Sequence, residues 1–247
     1  MHTINEVLDR MDQIVAECRT NNSRAAYFAV LYRRVTLRIK EGIERGEFED
    51  NARMERLDVL FAKRYFEAYD AYRQGLPPTQ SWQIALQTSD TSSPVILQHL
   101  LLGINAHINL DLGIAAVQTA GQQPLEGLQS DFDDINRILA ELVDGVKAKL
   151  GKASPAFGWL MPIARQFDEK LVNFSIGMAR EGAWRFACKL HVHPNPSQFI
   201  AERDQQIARL AQALAHPRGR MVEFILWLIR LFEWQTPEQI AGVLEEI

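Results

Sequence analysis

Apolar residues recur three and four positions apart along almost the whole chain, and no stretch alternates β-branched with polar residues, so the pattern predicts helices and no sheet. Ile4 to Cys18 reads as an amphipathic helix with Val7, Leu8, Met11, Ile14, Val15 and Cys18 on one face. Ser23 is placed to cap a second helix, with Phe28, Leu31, Val35 and Ile39 spaced for burial, running to about Arg45. Asp50 or Asn51 caps a third, Ala52 to Arg73, whose apolar set is Met54, Leu57, Leu60, Phe61, Tyr65 and Tyr69; Gly75 and Pro77-Pro78 end it. A short helix around Trp82 follows. Ser93 as N-cap and Pro94 as first helical residue then open an apolar helix to about Ala120.

Beyond the break GQQPLEG, the pattern predicts helices at Asp131 to Leu150, at Trp159 to Leu190 (one helix, or two parted near Pro162), and at Pro196 to Leu214 under an Asn195 cap. Gly219 to Phe232 and Pro237 to Ile247, the latter capped by Thr236, are the last two. No period repeats, and no linker is rich enough in Gly, Ser or Pro to demand a boundary. The expected fold is a single all-α domain, 1–247, of roughly ten helices around a central apolar helix near residues 94–120.

The polar residues of that central helix carry the chemistry. No Lys or Arg lies between Arg73 and Arg137, although the chain holds 27, so this stretch is expected to be interior or to face an acidic cavity. On a helical wheel His99, Gly103, His107 and Asp111 form one drifting stripe, and Gln98, Asn105 and Asn109 form a second almost opposite. His107 and Asp111, four residues apart, can supply two ligands to Zn or Fe, with His99 as a third donor and Gly103 leaving room for a ligand or a second backbone. Further ligands would come from Asp131, Asp133 and Asp134 or from Asp58. In an enzyme the metal would be a Lewis acid or oxidant, and Asp111 or Asp133 the base. The competing reading is structural: His107 pairs with Asp111, or both are held by main chain and an arginine such as Arg64 or Arg180. Asn105, Asn109 and Arg180 are the candidate ligand-binding residues, with helix-tying amides and a salt bridge as their plainer roles. His191-Val192-His193 sits at a helix end, where the dipole favours histidine.

Composition narrows the partners. A net charge of −4 and a pI near 5.9 argue against a general nucleic-acid binder. Two cysteines, Cys18 and Cys188, are too few for a disulfide scaffold and suit a reducing cytoplasm. The first residues lack the apolar core of a signal peptide. The 94–120 helix carries Asp111 and two histidines, and Met221–Phe232 is too short to span, so no membrane span is expected. No GxGxxG, Walker A, GxSxG, HExxH or CxxC motif occurs. The expectation is therefore a small-molecule ligand at a buried polar pocket, with a divalent metal as candidate cofactor. The alternative is a non-catalytic helical module with Phe224, Trp227, Leu228, Phe232 and Trp234 as a homodimer seam.

The residues Tyr27-Phe28-Ala29, Tyr32-Arg33, Thr36, Phe61-Ala62 and Arg64-Tyr65 resemble those of an uncharacterised bacterial family, a domain of unknown function. Gly103-Ile104-Asn105-Ala106-His107-Ile108-Asn109 with Asp111-Leu112 is the most specific element of that likeness, followed by Ala179-Arg180 with Ala183-Trp184. The resemblance covers Ile4 to about Leu190 and implies a helical protein without supplying an activity. A second likeness, to zinc-dependent phospholipase C and related nucleases, rests on His107 and Asp111 alone. Those enzymes' N-terminal Trp has no counterpart in Met1-His2-Thr3, and this chain has only six histidines.

Overall fold

In a computed structural model the chain folds into helices packed around the segment that lacks basic residues; residues 1–135, 138, 151, 154, 156 and 176–245 are described. The helices are α1 (Ile4–Thr20), α2 (Ala25–Arg45), α3 (Asn51–Arg73), α4 (Gln80–Ser89), α5 (Ile96–Ala106) and α6 (Leu112–Ala120), then α7 (Ile176–His191), α8 (Pro196–Ala215), α9 (Arg220–Leu231) and α10 (Pro237–Glu245). A π turn, His107–Asp111, joins α5 to α6, and a short 3-10 turn, Leu125–Leu128, follows. Among the described residues there is no strand, and the fold is all-α. The helices expected over Asp131 to Leu150 and before residue 176 fall largely outside the described residues.

Local caps follow the side-chain chemistry. Asp50 accepts the Arg53 N–H at 2.9 Å to start α3, and Asn195 accepts that of Gln198 at 3.3 Å to start α8. Thr236 does the same for Gln239 at 3.3 Å ahead of α10. The start of α5 departs from the expected Ser93 cap. Its first turn begins two residues later, where Gln98 Oε1 accepts the Val95 N–H at 3.0 Å. The carboxylate of Glu233, 137 residues away, accepts the Ile96 N–H at 3.0 Å. A buried carboxyl at the positive end of the helix replaces the serine.

The central helix is enclosed. α2, α4 and α8 pack on α5, while α3 and α7 pack on α6. The stretch Ile96–Ala120 is long and apolar enough to cross a membrane, yet 89% of its apolar window is buried inside the fold. Two glycines let neighbours in. A Cβ on Gly113 would sit 2.6 Å from the Phe186 ring and 2.9 Å from the Ala183 carbonyl oxygen, so α6 and α7 meet backbone to side chain. A Cβ on Gly103 would sit 2.5 Å from the Phe28 ring. The room expected beside Gly103 is filled by that ring.

Candidate functional site around His107 and Asp111

The π turn lies on the expected pair. The Leu112 N–H donates to the His107 carbonyl, five residues back, so the central helix carries one extra residue here. Single π turns inside α-helices gather at functional sites. His107 Nδ1 lies 3.3 Å from Asp111 Oδ2. The same oxygen accepts the indole N–H of Trp82 from α4 at 2.7 Å, and Arg64 Nε from α3 reaches Oδ1 at 3.3 Å. Asp111 is fully buried, and these donors are what a buried carboxylate requires. Arg64 is thus the arginine that the structural reading foresaw. Arg180 is not.

His107 is buried in a cage of rings. Phe61 stacks on its face with centroids 3.5 Å apart and planes at 6°, and Tyr32 meets it edge-on at 4.3 Å. Phe28, Tyr65 and Trp82 complete the wall at 5.7–6.2 Å. Burial holds the ring's pKa below its usual value, against the raising effect of Asp111. The neutral ring that donates from Nδ1 to Asp111 keeps a lone pair on Nε2. That Nε2 is buried and has no hydrogen-bond partner among the described residues.

It is not the only orphan. Asp58 on α3 is 1% exposed, and neither carboxyl oxygen has a hydrogen-bond partner among the described residues. Burial, reinforced by the negative charge of Glu55, pushes its pKa up to about 8. The carboxyl is therefore protonated at neutral pH. Tyr65 Oη is buried without a hydrogen-bond partner among the described residues, and the hydroxyls of Tyr32 and Thr36 approach each other without a well-formed hydrogen bond. Burial raises the pKa of Tyr32, and Asp58 and Asp111 both raise it further, which puts the three groups in one neighbourhood. Each unsatisfied buried group costs on the order of 1–3 kcal/mol, so a cluster of them needs an explanation.

The other expected residues lie elsewhere. His99 is eight residues, about 12 Å of helix, from His107. Its ring packs edge-on against Tyr27 at 5.8 Å. Burial, with the nearby Arg24 charge, lowers its pKa to about 3; the Pro94 carbonyl beside it works the other way. Asn105 donates to the Ile207 carbonyl of α8 at 3.2 Å and accepts from Asn109 at 3.0 Å, while Arg203 Nε holds the Asn109 carbonyl at 3.1 Å. That stripe ties the central helix to α8. Arg180 is buried over the Phe132 ring, 4.4 Å from its centroid, and donates to the Phe132 carbonyl. Asp133 is exposed. Of its neighbours, Asp131 is the buried one, accepting from the Glu49 N–H and from Arg53 at 2.7 Å each.

Among the described residues no group of three or more His, Cys, Asp or Glu side chains converges on a metal-sized space. The described donors therefore do not fit a zinc or iron ion. Trp82, Tyr32 and Tyr65 were missed as members of the cluster. Asp58 had a signal: it lies on the line Met54, Asp58, Phe61, Tyr65, an acid on a helix's buried stripe. A surface groove of about 580 Å³, lined by Tyr72, Leu76, Pro78, Ile84 and Gln212 among others, contains none of the expected site residues.

The model of a family of unknown function (DUF5995) matches residues 4–217. No curated protein and no solved structure matches the chain.

Proposed function

From the premise that the chain belongs to this family of unknown function, which lends it no activity, we propose that it binds a small uncharged molecule at His107. The molecule has an apolar, ring-sized body and one or two hydrogen-bonding groups. The observation that carries the reading is the unpartnered Nε2 of His107, inside an aromatic cage and on a π turn. Nε2 accepts a hydrogen bond from the ligand, and the protonated carboxyl of Asp58 and the hydroxyls of Tyr32 and Tyr65 offer donors. Phe61, Phe28 and Trp82 supply the apolar walls.

Where the bound molecule is converted and not merely held, His107 is the base. Asp111, fixed by Trp82 and Arg64, keeps the ring in the useful tautomer, a positioning role in place of the base role expected for it. A metal version has two open donor groups to draw on here, His107 Nε2 and the Asp58 carboxyl. Asn105, Asn109 and Arg180 contribute to ligand binding only through the helix packing they hold, and Asp133 only through its charge near Arg180. We take residues 1–247 as one domain, in keeping with α10 returning to pack on α2. A cytoplasmic setting agrees with Cys18 and Cys188, both free thiols.

Thermal unfolding with phenol, indole and cyclohexanol as probes tests the site. At least one should raise the melting temperature of the wild type, because a ligand that binds only the folded state stabilises it. The response should vanish in His107→Phe, which keeps a ring against Phe61 and loses the nitrogens. No response in the wild type, or an equal response in a folded His107→Phe, would sink the reading.

A second reading, a helical interaction module, is favoured by α9. Met221, Phe224, Trp227 and Leu231, with Phe232 and Trp234 just beyond, are 51–76% exposed.

A further inference from the structure

Resting on that second reading, we propose that α9 pairs antiparallel with α9 of a second copy of this chain, making a two-fold dimer centred on Trp227 and Leu228. At 100° per residue α9 has two apolar faces. Val222, Ile225, Leu226 and Ile229 are buried in the core. Trp227, Leu231, Phe224, Leu228, Met221 and Phe232 fill an arc of about 140° on the other side. All of these except Leu228, which is half-buried, are exposed. The Phe224 and Trp227 rings stack at 5.8 Å, so the face is one continuous surface.

Area argues for a protein partner. At roughly 200 Å² per large apolar side chain, the six exposed residues leave about 700 Å² open to water. That exceeds the largest apolar patch of an ordinary monomer, about 300–600 Å², and approaches the roughly 800 Å² each partner contributes to a standard interface. Self-complementarity argues for a second copy. Antiparallel pairing about Trp227 and Leu228 sets Met221 against Trp234 and Phe224 against Leu231. It also sets Arg220, which lies at the positive end of its own helix, beside the negative end of the other. A parallel pair would align the dipoles and bring the Arg218 and Arg220 side chains of both copies together. Anionic lipid is disfavoured, because Glu223 and Glu238 balance those arginines and the chain carries −4 overall. The face lies beyond residue 217, outside the family match, so the pairing belongs to this chain's last helices.

Sedimentation equilibrium of the full chain should give twice 28.2 kDa. Trp227→Glu and, separately, Phe224→Ser should weaken self-association by about tenfold or more, with an unchanged far-ultraviolet spectrum. In a Cys188→Ser background, a short bis-maleimide should join Trp227→Cys chains in pairs. It should not join Met221→Cys chains, whose thiols lie about 20 Å apart in the antiparallel register. A monomer at all concentrations overturns the proposal, and so does a dimer indifferent to both substitutions. Equal linking of Met221→Cys overturns the register, and a monomer that floats with phosphatidylglycerol vesicles assigns the face to lipid instead. Loss of probe binding at His107 with the dimer mass intact counts against the site alone.

Discussion

The indole N–H of Trp82 donates to Asp111 Oδ2 at 2.7 Å, the same oxygen that faces His107 Nδ1 at 3.3 Å. One carboxylate oxygen thus ties α4 to the π turn and fixes the imidazole. Trp82→Phe keeps an aromatic ring, though a smaller one, and removes the donor from a fully buried charge. The expected loss is about 1–3 kcal/mol, read as a lower urea midpoint with an unchanged slope.

Gly103 and Gly113 are expected to reject alanine to different degrees. At Gly103 the obstacle is the Phe28 side chain, 2.5 Å from the added carbon, which can yield only by disturbing the cage around His107. At Gly113 a main-chain oxygen lies 2.9 Å away as well as the Phe186 ring at 2.6 Å. Overpacking costs about 1–3 kcal/mol, and Gly113→Ala should fall at or above the top of that range, with Gly103→Ala below it. Calorimetric melting of the two variants side by side reads the order.

Stability should fall as the pH rises from about 6.5 to 8. The folded pKa of Asp58 is about 8 against an ordinary 3.8, so in this window the folded state binds a proton that the unfolded state has lost. Each such proton lowers stability by about 1.4 kcal/mol per pH unit. Glu233, pushed up to about 7 by burial, adds to the fall at the lower end of the window. Below pH 6.5 the histidines oppose it. His99 and His107 both take up a proton less readily folded than unfolded, so they make stability rise with pH towards the ordinary histidine value, for His99 from about 3. Asp58→Asn should remove most of the fall above pH 6.5 in denaturant titrations. An unchanged slope would show that Asp58 is ionised in the folded protein.

Glu233 is the distant cap of α5, and Arg230 steadies it by donating to its carbonyl and, at 2.5 Å, to that of Ser92. Glu233→Gln keeps an acceptor for Ile96 but loses the anion at the helix start. Because burial raises the Glu233 pKa from 4.5 to about 7, ionising it weakens the folded state, so above pH 8 the variant should be the more stable, by up to about 3 kcal/mol. The difference should shrink as the pH falls and vanish below about 4.5, where the carboxyl is protonated folded and unfolded alike.

The helix plan was legible because burial at three- and four-residue spacing depends on local pattern alone, and the absence of basic residues between Arg73 and Arg137 marked the core. The π turn was not legible. One extra residue changes the wheel angle of Asp111 relative to His107 and His99 without altering any residue type. Nor was the Glu233 cap, since Ser93 offered a local alternative and a contact across 137 residues leaves no mark in the pattern. The glycine at 103 was visible, but whether a ligand or Phe28 fills the space over it depends on how α2 crosses α5. The role of Trp82 was not legible either, because the partner of its N–H lies 29 residues away.

The central claim is that His107 is a neutral ring with its proton on Nδ1 and an open lone pair on Nε2. Long-range proton–nitrogen NMR of the imidazole, followed from pH 5 to 8, tests it most directly. The account predicts a protonated Nδ1 and an unprotonated Nε2 at neutral pH, with any titration displaced below the ordinary histidine range. An imidazolium at pH 7, or a proton resident on Nε2, would contradict it.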